Sequence, residues 1–143
     1  MWIVFALFAS LFWGLNYVLA ERIFSYKISP LTLVGIEMFI GGAAFLAISA
    51  FHRLGSELTA ISADRTLVLL LIAALISTVT GNLLIATSIQ SKNATLAGLI
   101  EISYPLFIAA FSYLLFGINY ISIGVACGGA LIFGGVVVIY LVS

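Results

Sequence analysis

The first candidate for chemistry is an acid inside an apolar run. Glu101 lies near the middle of residues 94–116, a segment long enough to cross a bilayer. A charge at the bilayer centre costs about 3 kcal/mol, so acids in such segments usually face a bundle interior or a water-filled path. Glu101 could hold a proton on one side of a membrane and release it for a cationic or polar substrate on the other. The alternative is structural, with a protonated Glu101 hydrogen-bonded within the bundle or across a dimer.

Pro105 adds a helix break one turn after this acid. Proline has no amide hydrogen, so the carbonyl oxygen of Glu101 loses its helical partner. Small and polar residues recur on one face of the segment at steps of three and four: Ala94, Gly98, Glu101, Pro105, Ala109 and Ser112. The pattern predicts a polar notch in an otherwise apolar helix.

Two more polar residues lie inside apolar runs. Glu37 is a second candidate for substrate binding or proton coupling, and Gly41 and Ala44 follow it on the same helix face. Small residues on such a face let another helix approach closely. Asn82 is expected to bond to another helix or to a water, and an interhelical hydrogen bond worth about 1 kcal/mol would be its structural role.

Aromatic and amide side chains of the first apolar run and of the run that holds Glu101 are predicted to form one wall of a binding site. Trp13, Asn16 and Tyr104, together with Tyr17, could stack on a substrate or hydrogen-bond to it. The alternative for these residues is packing and anchoring at the membrane surface, which is the common fate of aromatic residues in membranes.

The composition defines the class of protein. Of the 143 residues, 64% are hydrophobic and 7% are charged, and the mean hydropathy is +1.34. Soluble domains have roughly 25% charged residues, so this composition indicates an integral membrane protein. The formal net charge is zero, which argues against nucleic-acid binding. Cys127 has no second thiol, and no catalytic or metal-ligand spacing occurs within the runs, so we expect no enzyme, metal or cofactor.

Five runs are long enough to span a bilayer as helices. We predict one all-α domain over residues 1–143, an integral membrane bundle of five transmembrane helices at about 2–23, 30–51, 67–89, 94–116 and 121–142. Ser29 and Pro30 provide a favoured start for the second helix. Residues 52–66 are expected to form a surface connection. The last run is rich in glycine, which fits helix packing or a dimer contact.

The orientation in the membrane is weakly determined. With five spans, Arg22, Lys27 and Lys92 lie on one side, and Arg53 and Arg65 lie on the other. Three positive charges against two barely specify which side faces the cytoplasm. The sequence therefore predicts a loosely determined topology or insertion in both directions.

Three motifs in order resemble the EamA branch of the drug/metabolite transporter superfamily: residues 12–16 (FWGLN), 28–32 (ISPLT), and 94–107, which begin ATLA and end EISYPLF. The resemblance covers nearly the whole chain. Usual members have ten spans built from two five-span halves of inverted orientation, and this chain resembles one half. The chain departs from the family at Glu37, where many members have arginine.

The resemblance implies a secondary transporter that moves a small metabolite, amino acid or organic cation, with proton-coupled export as the leading hypothesis. It also implies a homodimer of half-transporters, antiparallel or parallel, or a heterodimer with a sister half. Partners would be membrane lipid and a small-molecule substrate, in a prokaryotic inner membrane. The alternatives are a flippase for a lipid-linked substrate and a non-transporting subunit that stabilises a partner.

Overall fold

The computed structural model of the chain describes residues 1–119 and 121–142, and within them it contains helices and no strands. In chain order, the helices are α1 (Trp2–Phe24), α2 (Pro30–Ala50), α3 (Leu54–Ala63), α4 (Arg65–Ser91), α5 (Ala94–Glu101), α6 (Tyr104–Phe116) and α7 (Ile123–Val142). Five spans are long and apolar enough to cross a membrane: α1, α2, α4, α5 with α6, and α7. The predicted all-α bundle of five spans is confirmed.

Local sequence signals explain where several helices begin and end. The Ser29 hydroxyl accepts the amide hydrogen of Thr32 at 3.2 Å, and Pro30 occupies the first turn of α2. Asp64 caps α4 in the same way, accepting from the Thr66 amide at 2.8 Å. Gly117 ends α6 with a φ of 67°, a left-handed conformation that glycine adopts without strain.

Residues 52–66, which were predicted to form a surface connection, contain the helix α3, and none of its residues is buried. Leu54, Leu58 and Ile61 follow one another at steps of four and three, so they lie on one helix face. Leu54 and Ile61 are half-buried, whereas Leu58 is exposed. The helix packs beside α2 and α4. The many polar residues hid this short apolar stripe.

The buried core lies at one end of the bundle, here called the closed end. There the last turns of α1 and α4 meet the first turns of α2 and α5. The hydrophobic core is formed by Ala20, Phe24, Leu33, Val34, Ala86, Ile89, Ala94 and Ala97. Half of them are alanines, which let the four helices approach closely. Elsewhere the spans are mostly exposed, so their apolar surfaces are available to lipid or to a second protein.

Three hydrogen bonds from side chains stabilise the closed end. The Glu21 carboxylate of α1 accepts the amide hydrogen of Ala94 at 2.7 Å, and Asn93 accepts that of Leu96 at 2.7 Å. The first amides of α5 thus find acceptors from two parts of the chain. The Gln90 side chain also donates to the carbonyl oxygen of Ile28 at 3.3 Å. The bonds to Ala94 and Leu96 anchor the start of α5, the helix that ends at Glu101.

The last span contacts the rest of the bundle through a buried glycine. A Cβ atom at Gly129 would lie 2.5 Å from Cδ2 of Leu106, so the absence of a side chain permits this contact. At Gly128, Gly134 and Gly135 an added Cβ would meet nothing within 4 Å. Only part of the glycine-rich face is therefore used for packing within the described chain.

Candidate functional site

The span that contains Glu101 is interrupted immediately after this residue. Glu101 is the last residue of α5, and Tyr104 with Pro105 begins α6. Between them, the Ser103 amide donates to the Ile100 carbonyl at 3.2 Å and the Leu106 amide donates to the Ser103 carbonyl at 3.1 Å. These are steps of three residues, tighter than an α-helix. The break that Pro105 predicts is present, and it places the acid at the junction of two half-helices.

Glu101 is bonded across the bundle to α1. The Tyr17 hydroxyl donates to Oε2 of Glu101, and the contact is partly buried. Among the described residues, no other hydrogen bond to this carboxyl group is present. Oε1 of Glu101 is therefore the oxygen left to carry a proton or to accept a hydrogen bond from a ligand.

Packing on two sides holds the Tyr17 ring in place. Trp13, one turn earlier on α1, lies edge-on to it, with ring centroids 5.9 Å apart and planes at 63°. On the α5 side, a Cβ atom at Gly98 would lie 3.4 Å from Cδ2 of Tyr17. The ring thus packs closely on the glycine that precedes Glu101 by one turn. The hydroxyl group is positioned by these contacts rather than by the Glu101 bond alone.

The second acid is bonded to the residue next to Tyr17. Asn16 donates its side-chain amide to Oε1 of Glu37 at 3.0 Å. Successive residues on a helix point about 100° apart, so Asn16 faces α2 while Tyr17 faces α5. One turn of α1 therefore holds a carboxyl group on each side.

Among the described residues, Asn82 makes no hydrogen bond to another helix, so of the two predicted partners the interhelical one is not found there. Its side-chain amide donates to the Thr78 carbonyl oxygen of its own helix at 2.9 Å. The carbonyl four residues earlier lies within reach of a short polar side chain, and this local bond competes with interhelical ones. Asn82 nevertheless lines the open space on both sides of α1.

Two open grooves flank α1. The α5-side groove, of about 780 Å³, is lined by Ser10, Trp13, Gly14, Tyr17, Ser77, Thr78, Gly81, Asn82, Ile85, Thr95, Gly98, Leu99, Glu101, Ile102 and Tyr104. The α2-side groove, of about 450 Å³, is lined by Trp13, Asn16, Val34, Ile36, Glu37, Met38, Ile40 and Asn82. Both volumes suit a small-molecule site. No lysine, arginine or histidine of the described chain lines either groove.

The structure brings the six predicted binding residues to these two grooves. Glu101 and Tyr104 line the α5-side groove, Asn16 and Glu37 line the α2-side groove, and Trp13 and Asn82 line both. Pro105 does not line either one and acts through the helix break. The Tyr17 contact with Glu101 is the feature that sequence reasoning missed. Tyr17 was expected only as part of a wall, and nothing in its spacing indicated an acid on another helix.

A comparison with protein families gives the context for this site. The model of the EamA-like transporter family matches residues 1–141. The chain belongs to this family. EamA-like proteins are part of the drug/metabolite transporter superfamily, and the 143 residues fit one five-helix repeat of that architecture. The searches of curated proteins and of solved structures returned no match.

Membership in the EamA family indicates a transporter of the drug/metabolite type and a multi-pass integral membrane protein. The two grooves fit this class, because they expose acids, amides and aromatic rings within membrane-spanning helices. A groove with an acid and no basic side chain can bind a proton or a positively charged group. Polar side chains inside spans are costly and generally mark such pathways.

Proposed function

We propose that this EamA-like protein is a proton-coupled exporter of a small metabolite, amino acid or organic cation, with Glu101 as the shared site for proton and substrate. The observation that carries the proposal is the Glu101 carboxyl group in the α5-side groove, bonded to Tyr17 and faced by no basic side chain of the described chain. Such an acid needs a proton or a positively charged ligand to offset its charge in an apolar environment.

The coupling follows from competition for one oxygen atom. With Tyr17 donating to Oε2, a proton on Oε1 keeps the carboxyl group neutral. A substrate with a positively charged N–H group binds when that proton leaves, since the free carboxylate accepts a charge-assisted hydrogen bond. Proton entry from the opposite side then releases the substrate. One site that holds either the proton or the substrate, but not both, exchanges them across the membrane.

Glu37 supports a second polar site in this mechanism. Its Oε1 is bonded to Asn16, while Trp13 and Asn82 extend from its groove into the groove of Glu101. We assign Glu37 to proton coupling or to the polar end of a longer substrate. Trp13 and Tyr104 provide aromatic surface for cation–π contact or stacking in the α5-side groove.

A second copy of the chain completes the pathway in this proposal. The grooves are open, and the spans away from the closed end expose most of their apolar side chains. An antiparallel homodimer would place two five-span units in inverted orientation, which is the general plan of repeat-built transporters. The nearly balanced charges at the two ends are compatible with such a pair in a prokaryotic inner membrane.

Purified protein in liposomes tests the function. A pH gradient is imposed across the liposome membrane. Labelled amino acids and alkylammonium ions are then offered one at a time, and the uptake of each compound and the opposite movement of protons are measured. We expect at least one compound to move against a proton, and Glu101→Gln to abolish the coupled flux. Glu37→Gln should reduce it less. Glu57→Gln on α3, outside the spans, is the matched acid control and should leave the flux unchanged.

The same experiment separates the other functions. A subunit that only stabilises a partner would give no flux with any compound, and a flippase would move a labelled lipid-linked substrate between leaflets instead. Proton-coupled flux that persists in Glu101→Gln would contradict the role of this carboxyl group.

A further inference from the structure

The geometry points to Tyr17 as the residue that selects the substrate class at Glu101: by occupying one carboxylate oxygen, it favours a substituted ammonium ion over a guanidinium ion. This inference rests on the proposed function, because it assumes that Glu101 binds the positive group of the substrate. It adds a chemical class and a specificity-determining residue to that site.

The first step is the number of oxygen atoms that Glu101 can offer. Oε2 already accepts the Tyr17 hydroxyl hydrogen, while Oε1 has no hydrogen-bond partner among the described residues. Trp13 and Gly98 hold the Tyr17 ring from two sides, so the hydroxyl group cannot swing away without disturbing both contacts. A ligand therefore meets one carboxylate oxygen without a partner and one that already accepts the Tyr17 hydrogen bond.

The second step is the geometry of the two kinds of cation. A guanidinium group binds a carboxylate best through two parallel N–H···O bonds, one to each oxygen. Tyr17 competes for one of these oxygens. An ammonium group is a compact point charge that needs a single acceptor, so the free Oε1 satisfies it. The site therefore suits an ammonium group, which needs only one acceptor oxygen.

The rest of the α5-side groove fits an ammonium ion with an apolar arm. Trp13, Tyr17 and Tyr104 supply aromatic surface, and Gly14, Gly81 and Gly98 leave room beside it. Among the groups that line this groove, only Glu101 and the two tyrosines are titratable, and none carries a positive charge. Nothing in the groove repels a cation.

The test compares two probes that differ only in the charged group, n-hexylammonium and n-hexylguanidinium. Their dissociation constants are measured by calorimetry on the full chain in detergent, for wild type, Tyr17→Phe, Tyr113→Phe and Glu101→Gln. We expect wild type to bind the ammonium about tenfold more tightly, the scale of one charge-assisted hydrogen bond. Tyr17→Phe frees Oε2 and should lower this preference about tenfold, mainly through tighter binding of the guanidinium.

Tyr113→Phe is the matched control, because it removes a tyrosine hydroxyl group on α6 that lines neither groove and makes no hydrogen bond to Glu101 in the described structure. The ratio of its dissociation constants for the two probes should stay within twofold of the wild-type ratio. Tyr17→Phe keeps the ring that packs on Trp13 and Gly98, so we expect it to fold, and a thermal unfolding measurement checks this. If Tyr17→Phe does not fold, the wild-type protein alone still tests the inference. Equal affinity of wild type for n-hexylguanidinium and n-hexylammonium would overturn it.

Two failures are distinguishable. If both probes bind in a Glu101-dependent manner but the preference does not respond to Tyr17→Phe, the specificity role of Tyr17 is wrong and the proposed function stands. If neither probe binds, or if Glu101→Gln leaves binding unchanged, both the inference and the role of Glu101 in the proposed function are overturned.

Discussion

Tyr17 on α1 donates its hydroxyl hydrogen to Glu101 on α5, although the two residues are 84 positions apart in the chain. The bond joins the first span to the break in the fourth. It gives the intramembrane acid a partner without neutralising it, since a tyrosine hydroxyl group is uncharged when it donates. The carboxyl group thus stays available to a proton or a cation.

The position of the Tyr17 ring depends on the glycine beneath it. A Cβ atom at Gly98 would lie 3.4 and 3.6 Å from two ring carbons, which is ordinary contact, so Gly98→Ala should bind both probes like wild type. Gly98→Val adds two methyl groups that push the ring away from Glu101. We expect it to lower the preference for n-hexylammonium by about tenfold or less, as loss of one hydrogen bond would.

The control for this prediction lies in the same groove. At Gly14, an added Cβ meets nothing within 4 Å, so Gly14→Val should leave the preference unchanged. Equal shifts in the two valine variants would indicate a general effect of groove volume instead of displacement of Tyr17.

The closed end depends on a side chain of α1 that caps α5. Glu21 accepts the Ala94 amide hydrogen at 2.7 Å, so Glu21→Ala should lower the free energy of unfolding by about 1 kcal/mol, the usual value of a helix cap. Glu21→Gln keeps an acceptor oxygen and should cost less. Thermal unfolding in detergent gives the ranking, with Glu57→Ala on α3 as the exposed control. A Glu21→Ala protein as stable as the control would show that the cap contributes nothing measurable.

The contact of the last span is testable through its buried glycine. Gly129→Ala places a Cβ atom 2.5 Å from Cδ2 of Leu106, so the end of this flexible side chain must shift, and we expect the free energy of unfolding to fall by about 1 kcal/mol or less relative to the control below. Gly128→Ala, where an added Cβ meets nothing within 4 Å, is the matched control and should be neutral or slightly stabilising.

A second substitution checks that the clash causes this loss. Adding Leu106→Ala to Gly129→Ala makes room for the new methyl group, so the double variant should lose less than the sum of the two single losses. Strict additivity would mean that the two residues do not interact.

The orientation in the membrane depends on the small number of lysine and arginine residues at the two ends of the bundle. Arg22, Lys27 and Lys92 lie near the closed end, and Arg53 and Arg65 lie near the opposite end. Reporters fused to the C-terminus, a phosphatase active outside the cytoplasm and a fluorescent protein active inside it, should both give signal in wild type. The variant with Arg53→Ala and Arg65→Ala keeps three positive charges at the closed end and none at the opposite end. The closed end should then face the cytoplasm, and the C-terminus, which is on the same side of the membrane, should give only the cytoplasmic signal.

The reciprocal variant carries Lys27→Ala and Lys92→Ala, which leaves one charge against two. It should favour the external signal. A wild-type protein with a strong signal from one reporter alone would remove insertion in both directions and, with it, the antiparallel dimer.

Much of the architecture is predictable from the sequence. Apolar runs of the length of a bilayer must satisfy their backbone groups internally, so they form helices, and the five spans follow from hydropathy alone. Ser29 with Pro30 and Pro105 mark a helix start and a helix break through their local chemistry, which needs no tertiary partner. The short helix α3 was missed because its apolar stripe is only three residues long.

The sequence by itself determined the class of fold, the number of spans and the residue types that could do chemistry. Only the tertiary structure decided which of these residues meet. Asn16 and Tyr17 are neighbours in the chain, yet one bonds to Glu37 on α2 and the other to Glu101 on α5, because they lie on different faces of α1. Asn82 bonds within its own helix instead. Such pairings depend on how small residues let the helices pack, and helical periodicity gives the face of a residue but not its neighbour.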